Sequence, residues 1–207
     1  MPARRGFPTA RVVASLVAIS ASYVAVRTDR AEPFDDAVAA VLRRPMGPAV
    51  DTAVGVATDL GSVYGLTGIS VVLAMTGRRE AAFDVFGAGA VAWIVAQAAK
   101  PSLDRPRPYQ ELDAERLVAP PAGSSWPSGH SAVASAVGTT VSDHGGRGAR
   151  VTGVGLTGFV AASRIYVGVH HATDPVAGWG IGVISATIWQ TVRSLLRRLR
   201  TRRKLRG

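Results

Sequence analysis

Thr9–Val26 reads TARVVASLVAISASYVAV. Apart from Arg11 the run carries no charge, and its length approaches the roughly 20 apolar residues that a helix needs to cross a bilayer core. Arg4 and Arg5 precede it and small residues close it, which is also the pattern of a cleaved signal peptide. The run is long for a signal peptide, and further apolar runs follow, so a retained helix is expected.

Five more candidate spans lie downstream: Ala53–Thr76 (strongest at LTGISVVLAMT), Ala81–Ala99, Gly129–Ser142, Ala149–Val169 and Asp174–Leu196. Gly129–Ser142 is short and rich in Ser, Thr and Ala, and hydropathy alone does not single it out. Asp84 falls inside the third span and is expected near a membrane surface or facing the bundle interior. Phe34–Leu42 (FDDAVAAVL) reads either as a short amphipathic helix in the interface or as a solvated loop. The expected fold is all-α, a polytopic membrane bundle of six transmembrane helices forming a single domain over residues 1–207.

Charge supports this reading. The chain of 207 residues has a formal net charge of +10 and no cysteine, which excludes disulfides, thiolate metal sites and a cysteine nucleophile. Basic residues flank the apolar runs, and eight of the 24 stand in the tail from Arg193 to Gly207. Basic flanks around apolar runs indicate a membrane protein, not a nucleic-acid binder. With six spans both termini share a side. That side collects 15 Lys and Arg, against nine on the other, so the positive-inside rule places the termini in the cytoplasm. The basic tail, 193–207, is expected to meet anionic lipid headgroups.

The opposite, extracytoplasmic side receives three unusual clusters. Lys100-Pro-Ser-Leu-Asp-Arg-Pro-Arg-Pro108 follows the third span, and its prolines hold it extended. Trp126-Pro-Ser-Gly-His-Ser131 leads into the fourth span, where a helix start, a serine hydroxyl and a histidine share a small volume suited to an anion. Ser163-Arg-Ile-Tyr-Val-Gly-Val-His-His-Ala-Thr-Asp174 joins the fifth and sixth spans. Each alone has an ordinary reading as a basic loop, a helix cap or a solvated turn. Their joint placement at span ends on one face is what points to phosphate chemistry. Arginine forks and a lysine point charge hold phosphate oxygens. A neutral histidine whose second nitrogen rests on a carboxylate can attack phosphorus. In a helix, His170 or His171 would both reach Asp174, so spacing leaves both open.

The three clusters resemble the motifs K-x6-R-P, P-S-G-H and S-R-x5-H-x3-D of the type 2 phosphatidic acid phosphatase superfamily, to which bacterial lipid phosphatases, glucose-6-phosphatase and vanadium haloperoxidases belong. The match covers about residues 95–180, with no departure at a motif position. The resemblance implies a metal-free, cofactor-free phosphatase acting on a lipid phosphate at the outer membrane surface. It implies His170 as the nucleophile that becomes phosphohistidine, Asp174 as its partner, and His130 as the general acid. Lys100, Arg107, Ser128, Gly129 and Arg164 would hold the phosphate. A lipid phosphotransferase using the same histidine, or a non-catalytic lipid-binding or transport protein, would share much of this constellation. Both histidines are expected near the unperturbed pKa of about 6.5, which would give a bell-shaped pH profile.

Two further signals are set aside. Gly153-Val-Gly155-Leu-Thr-Gly158 fits a nucleotide-binding pattern, but no strand precedes it, and helix packing is the expected role. His144 lies at the cytoplasmic end, away from the three clusters.

Overall fold

The computed structural model of the chain describes residues 9–111 and 114–204. The N-terminal arginines Arg4 and Arg5 and the tail residues 205–207 lie outside the described residues. The described residues form helices and no strands: α1 (Thr9–Arg27), α2 (Glu32–Leu42), α3 (Pro48–Ala57), α4 (Val63–Met75), α5 (Arg79–Ala99), α6 (Pro108–Glu111), α7 (Gly129–His144), α8 (Arg147–Tyr166) and α9 (Thr173–Lys204).

Local chemistry explains most boundaries. α3 opens at Pro48 after Gly47, whose φ of 99° a side chain would resist. Ser62 caps α4 by accepting the Gly65 N–H at 3.1 Å, and Ser128 caps α7 by accepting the Ser131 N–H at 3.4 Å. Gly168, at φ 75°, turns the chain after α8 with its N–H on the Ile165 carbonyl. Phe34–Leu42 belongs to α2, so the helical alternative for that segment is the observed one.

α7 is the axis of the bundle. It packs on α5, α8 and α9, while α1 lies along α9 and α4 along α5. Most of α7 is buried, including Ser131, Ala132, Val133, Ala134, Ser135, Ala136 and Val137. That burial accounts for its modest hydropathy, since its neighbours and not lipid set what its surface must be. Among the described residues, only α1 and the segment Arg79–Ser102 are single helices long and apolar enough to cross a membrane. The expected second span is broken instead: Pro48–Gly61 and Val63–Met75 meet at a 71° bend and pass the same test only as a pair. α8 carries arginines near both ends, and the apolar stretch of α9 is diluted by Gly, Trp, Thr and Gln, so neither reaches that apolarity although both are long.

The seam between α7 and α9 is made of backbone. A Cβ on Gly178 would stand 2.5 Å from the Ser128 carbonyl oxygen and 2.9 Å from Ser131 Cβ, and Gly182 meets the Ala132 carbonyl in the same way. Of the three glycines in the 153–158 pattern, Gly153 presses on Gly138 of α7, whereas Gly155 and Gly158 face open space. The packing role therefore belongs to Gly153 alone.

Asp84 faces the bundle interior at the end remote from the three clusters. It accepts from Trp189 Nε1 at 3.1 Å and Arg193 Nε at 2.7 Å, and pairs with His144 Nε2 at 3.0 Å. Arg11 pairs with Asp143 nearby at 2.8 Å. The basic start of the tail is thereby bound to α5 through Arg193.

Gly178→Ala is expected to destabilise the purified chain by roughly 1–3 kcal/mol, because overpacking a backbone seam forces the helices apart. Gly155→Ala, with nothing within 4 Å of the new Cβ, should be neutral or stabilising. Thermal unfolding in detergent checks both.

Candidate active site

Three segments converge at one end of the bundle: the extended chain after α5, the start of α7, and the turn between α8 and α9. Prolines 101, 106 and 108 interrupt helix after Lys100, and Leu103 is extended at φ −138°. This directs Arg107 inward, where it is almost wholly buried. Its guanidinium donates to the carbonyls of Val169 at 2.8 Å, Ser124 and Gly123 at 3.2 Å and Ala122 at 3.3 Å, while Nη1 also lies 3.4 Å from His170 Nε2. Lys100 Nζ donates to the Ser124 carbonyl at 2.5 Å. The carbonyls of residues 122–124 therefore hold both cations in place.

His170 does not lie in a helix. It precedes the first turn of α9, and the chain folds back so that the Asp174 N–H reaches the His171 carbonyl at 3.2 Å. This turn, not helical spacing, brings His170 Nδ1 to 3.2 Å from Asp174 Oδ2. The carboxylate can only accept, so Nδ1 carries the hydrogen and Nε2 keeps its lone pair. His171 meets the same carboxylate differently, through its backbone N–H at 2.9 Å. Its ring Nε2 is buried without a partner, and the residue lines a cleft together with Asp29, Glu32, Asp35, Asp104 and Arg105. The structure thus distinguishes two histidines that spacing alone left equivalent.

Asp174 is fully buried. Besides His170 and His171 it accepts from Ser125 Oγ at 2.5 Å on the same oxygen, and from Arg105 Nη1 at 2.8 Å on Oδ1. Burial pushes His170 down to about 3; Asp174 opposes this, while the charges of Arg164 and Arg107 act with burial. The expectation of a His170 pKa near 6.5 is therefore overturned. Neutral imidazole is the stable form at this position throughout the physiological range. His171 is also lowered, chiefly by burial and then by Arg105.

Arg164, near the end of α8, is buried, and its Nη1 donates to Thr58 Oγ1 at 3.3 Å. Its Nε has no partner in the structure. Ser128 Oγ accepts from Ser131 Oγ at 3.0 Å as well as from the Ser131 N–H. Both are bonds that it accepts, so its own hydrogen is not used by either. The Ser128 N–H goes to the Asp174 carbonyl at 3.2 Å, which ties the start of α7 to the start of α9. Gly129 is the first residue of α7. His130 stands beside it, with Nε2 3.5 Å from Asp59 Oδ1. The structure thus brings together all eight residues singled out from the motifs.

Other contributors have no local sequence signal. Thr58 and Asp59 come from the break between α3 and α4, Ser125 from the loop before α7, and Asp35 and Arg43 from α2 and its end. Arg43 Nη2 donates to the His170 carbonyl at 3.3 Å. Arg105, in the first Arg-Pro pair, is the exception: it stands two residues before a motif arginine yet faces Asp174 and Asp35.

This arrangement can do specific chemistry. A buried imidazole presents a lone pair toward a guanidinium; three cations bear on the same volume, with a hydroxyl at a helix start beside them. Such a set suits a tetrahedral anion that is attacked by nitrogen.

Comparison with known proteins agrees with the geometry. Residues 81–198 match the PAP2 superfamily. An undecaprenyl-diphosphatase of Sulfolobus acidocaldarius is 30% identical over 93 residues, which is 44% of this chain; the match spans 45% of that relative's length. The crystal structure of Aquifex aeolicus LpxE superposes with a TM-score of 0.65 at 25% identity, covering 73% of this chain and 91% of that one. A transmembrane PAP2-type phosphatidylglycerolphosphate phosphatase from Bacillus subtilis superposes with a TM-score of 0.74 over 89% of this chain and 96% of that one; at 21% identity this likeness speaks for the fold. With its three motifs gathered at one end of the bundle and more than half of its length within the matched region, the chain belongs to the PAP2 superfamily.

Proposed function

We propose that the chain is an integral membrane lipid phosphatase that hydrolyses a lipid monophosphate or diphosphate through a phosphohistidine at the outer membrane surface. The observation that carries this reading is the state of His170: Nδ1 rests on a buried carboxylate and Nε2 lies 3.4 Å from Arg107. In the first step Nε2 bonds to phosphorus as the bond from phosphorus to the lipid oxygen breaks. His130 gives that oxygen its proton. In the second step water attacks phosphorus, His130 takes the proton from water, and the nitrogen–phosphorus bond breaks to release phosphate. Arg107, Arg164, Lys100, Ser128 Oγ and the Gly129 N–H would hold the phosphate oxygens as charge shifts between them.

The proposed setting is a six-span bundle with both termini in the cytoplasm. The length and apolarity of α1 and α5, and of the bent α3–α4 pair, support this, as does the excess of basic residues at the end remote from the site. A site at the other end would meet headgroups whose tails stay in the bilayer. The names of the relatives suggest polyprenyl diphosphates and phosphatidylglycerol phosphate as first substrates to test, with phosphatidic acid as a third.

Phosphate release by the detergent-purified chain over these lipids tests the proposal. Activity should persist in EDTA, since the charge on the phosphate is met by arginine and lysine. Loss in EDTA would sink the metal-free mechanism. His170→Asn should lower kcat by at least about a thousandfold, because the nucleophile is gone. His171→Asn should stay within roughly tenfold of wild type, as its ring touches neither the carboxylate nor the clamp. The opposite pattern would place the nucleophile one residue later.

The pH dependence has a definite sign. A group held to about 3 stays neutral above that pH, so His170 should show no titration between pH 8 and pH 5. Nitrogen NMR of the free chain, with His170 assigned by its loss in His170→Asn, should show the neutral Nδ1–H form across that range. A protonation midpoint near the ordinary histidine value of about 6.5 would contradict the burial argument.

A further inference from the structure

Arg105 lies in the same Arg-Pro tandem as Arg107 but is used differently. Its guanidinium spans two carboxylates. Nη1 donates to Asp174 Oδ1 at 2.8 Å and to Thr173 Oγ1 at 2.7 Å, and Nη2 donates to Asp35 Oδ2 at 2.5 Å. Asp35 in turn accepts the Thr173 N–H at 2.8 Å and lies 3.2 Å from Thr173 Oγ1. The side chains of Asp35, Arg105 and Asp174 are 4%, 12% and 0% exposed, so little water screens this chain of charges.

The two oxygens of Asp174 divide their work. Oδ2 takes Ser125, the His170 ring and the His171 N–H. Oδ1 takes Arg105. Without Arg105 the carboxylate would be buried with one oxygen lacking its ionic partner, a state that proteins avoid by moving or protonating the group. Either response would change how His170 Nδ1 is held. Asp35 matters for the same reason at one remove, because it balances and orients the guanidinium. It comes from α2, which no motif includes and which touches the site through this contact and through Arg43, just beyond its end.

We propose that Asp35 and Arg105 are positioning residues that fix the Asp174 carboxylate, and through it the His170 ring, so that α2 is a working part of the phosphatase site. This rests on the phosphatase reading given above. The role requires a planar fork that can bond both carboxylates and Thr173 at once. A lysine in its place carries the charge but presents one compact head. The expected defect therefore lies in chemistry and not in phosphate binding, since Lys100, Arg107 and Arg164 are left unchanged.

The test uses the full chain purified in detergent, with vanadate as the phosphate-like probe. Arg105→Lys should lower kcat on the order of 10- to 100-fold, the usual cost of losing a group that orients a reacting one. KM and the vanadate inhibition constant should stay within about threefold, since an interaction made mainly in the transition state has been lost. Asp35→Asn should lower kcat in the same sense but less, because one acceptor oxygen remains for Thr173. The double variant should lose less than the product of the single losses, as expected for residues acting as one unit. The His170 Nδ1 resonance should shift in each variant. Wild-type kcat in a folded Arg105→Lys chain, or losses confined to KM and vanadate binding, would overturn the proposal. If Arg105→Lys does not fold, the same measurements on Asp35→Asn decide: a lowered kcat supports the proposal, and wild-type kcat or a loss confined to binding overturns it. If the wild-type chain hydrolyses no lipid phosphate, the phosphatase reading fails separately; an unmoved His170 resonance in the variants then overturns the positioning role on its own.

Discussion

The end of the bundle that carries the three motifs is organised around one buried carboxylate. Asp174 sits at the start of α9, where helix N–H groups favour negative charge. It gathers a serine hydroxyl, a histidine ring, a backbone N–H and a guanidinium. These partners arrive from the loop before α7, the α8–α9 turn and the chain after α5. Their convergence obliges those three segments to meet at one point, and the rest of the site follows from it. Arg107 reaches the His170 ring because Val169, one residue earlier in the same turn, supplies a carbonyl for its guanidinium. Ser128 stands beside the site because its own N–H bonds the Asp174 carbonyl.

The far end has its own buried acid, Asp84, and the two ends use charge for different purposes. Asp84 is surrounded by Trp189, Arg193 and His144, all within hydrogen-bonding distance. These contacts tie α5, α7 and α9 together, and the charge of Arg193 is spent on the acid beside it. At the motif end, by contrast, Arg107 and Lys100 are held mainly by neutral carbonyls, and the Arg164 side chain rests on a threonine. Carbonyls orient a cation without cancelling its charge. Positive potential therefore remains available where a phosphate would lie, and the same potential acts with burial to keep His170 neutral.

Much of this was legible in the chain. Lys100, Arg107, Ser128, Gly129, His130, Arg164, His170 and Asp174 stand in short motifs whose spacing follows from local turns, and local turns are what sequence encodes most directly. α1, α5 and α9 were legible from apolar runs and their basic flanks. Less was legible where tertiary packing decides. The break at Thr58–Gly61 lies within an apolar stretch that reads as continuous, yet Gly61 is pressed against the His130 carbonyl and Val160, and the helix bends there. Asp35 and Asp59 reach the site across distant sequence, and nothing beside them marks that. The depressed pKa of His170 was also hidden, because it depends on burial that only the folded bundle creates.

The glycine seam between α7 and α9 has a consequence for how such a site can change over time. Two backbones in contact leave no side chain to compress or re-rotamerise, so the separation of Ser128 from Asp174 is a fixed datum of the fold. The outward faces of the bundle carry no such constraint. Val13, Leu16 and Val17 on α1, or Val71 and Val72 on α4, are exposed apolar positions that need only remain apolar. The chain is thus free to drift in composition along its outer surface, adapting to one lipid environment or another, while the spacing at its motif end stays the same.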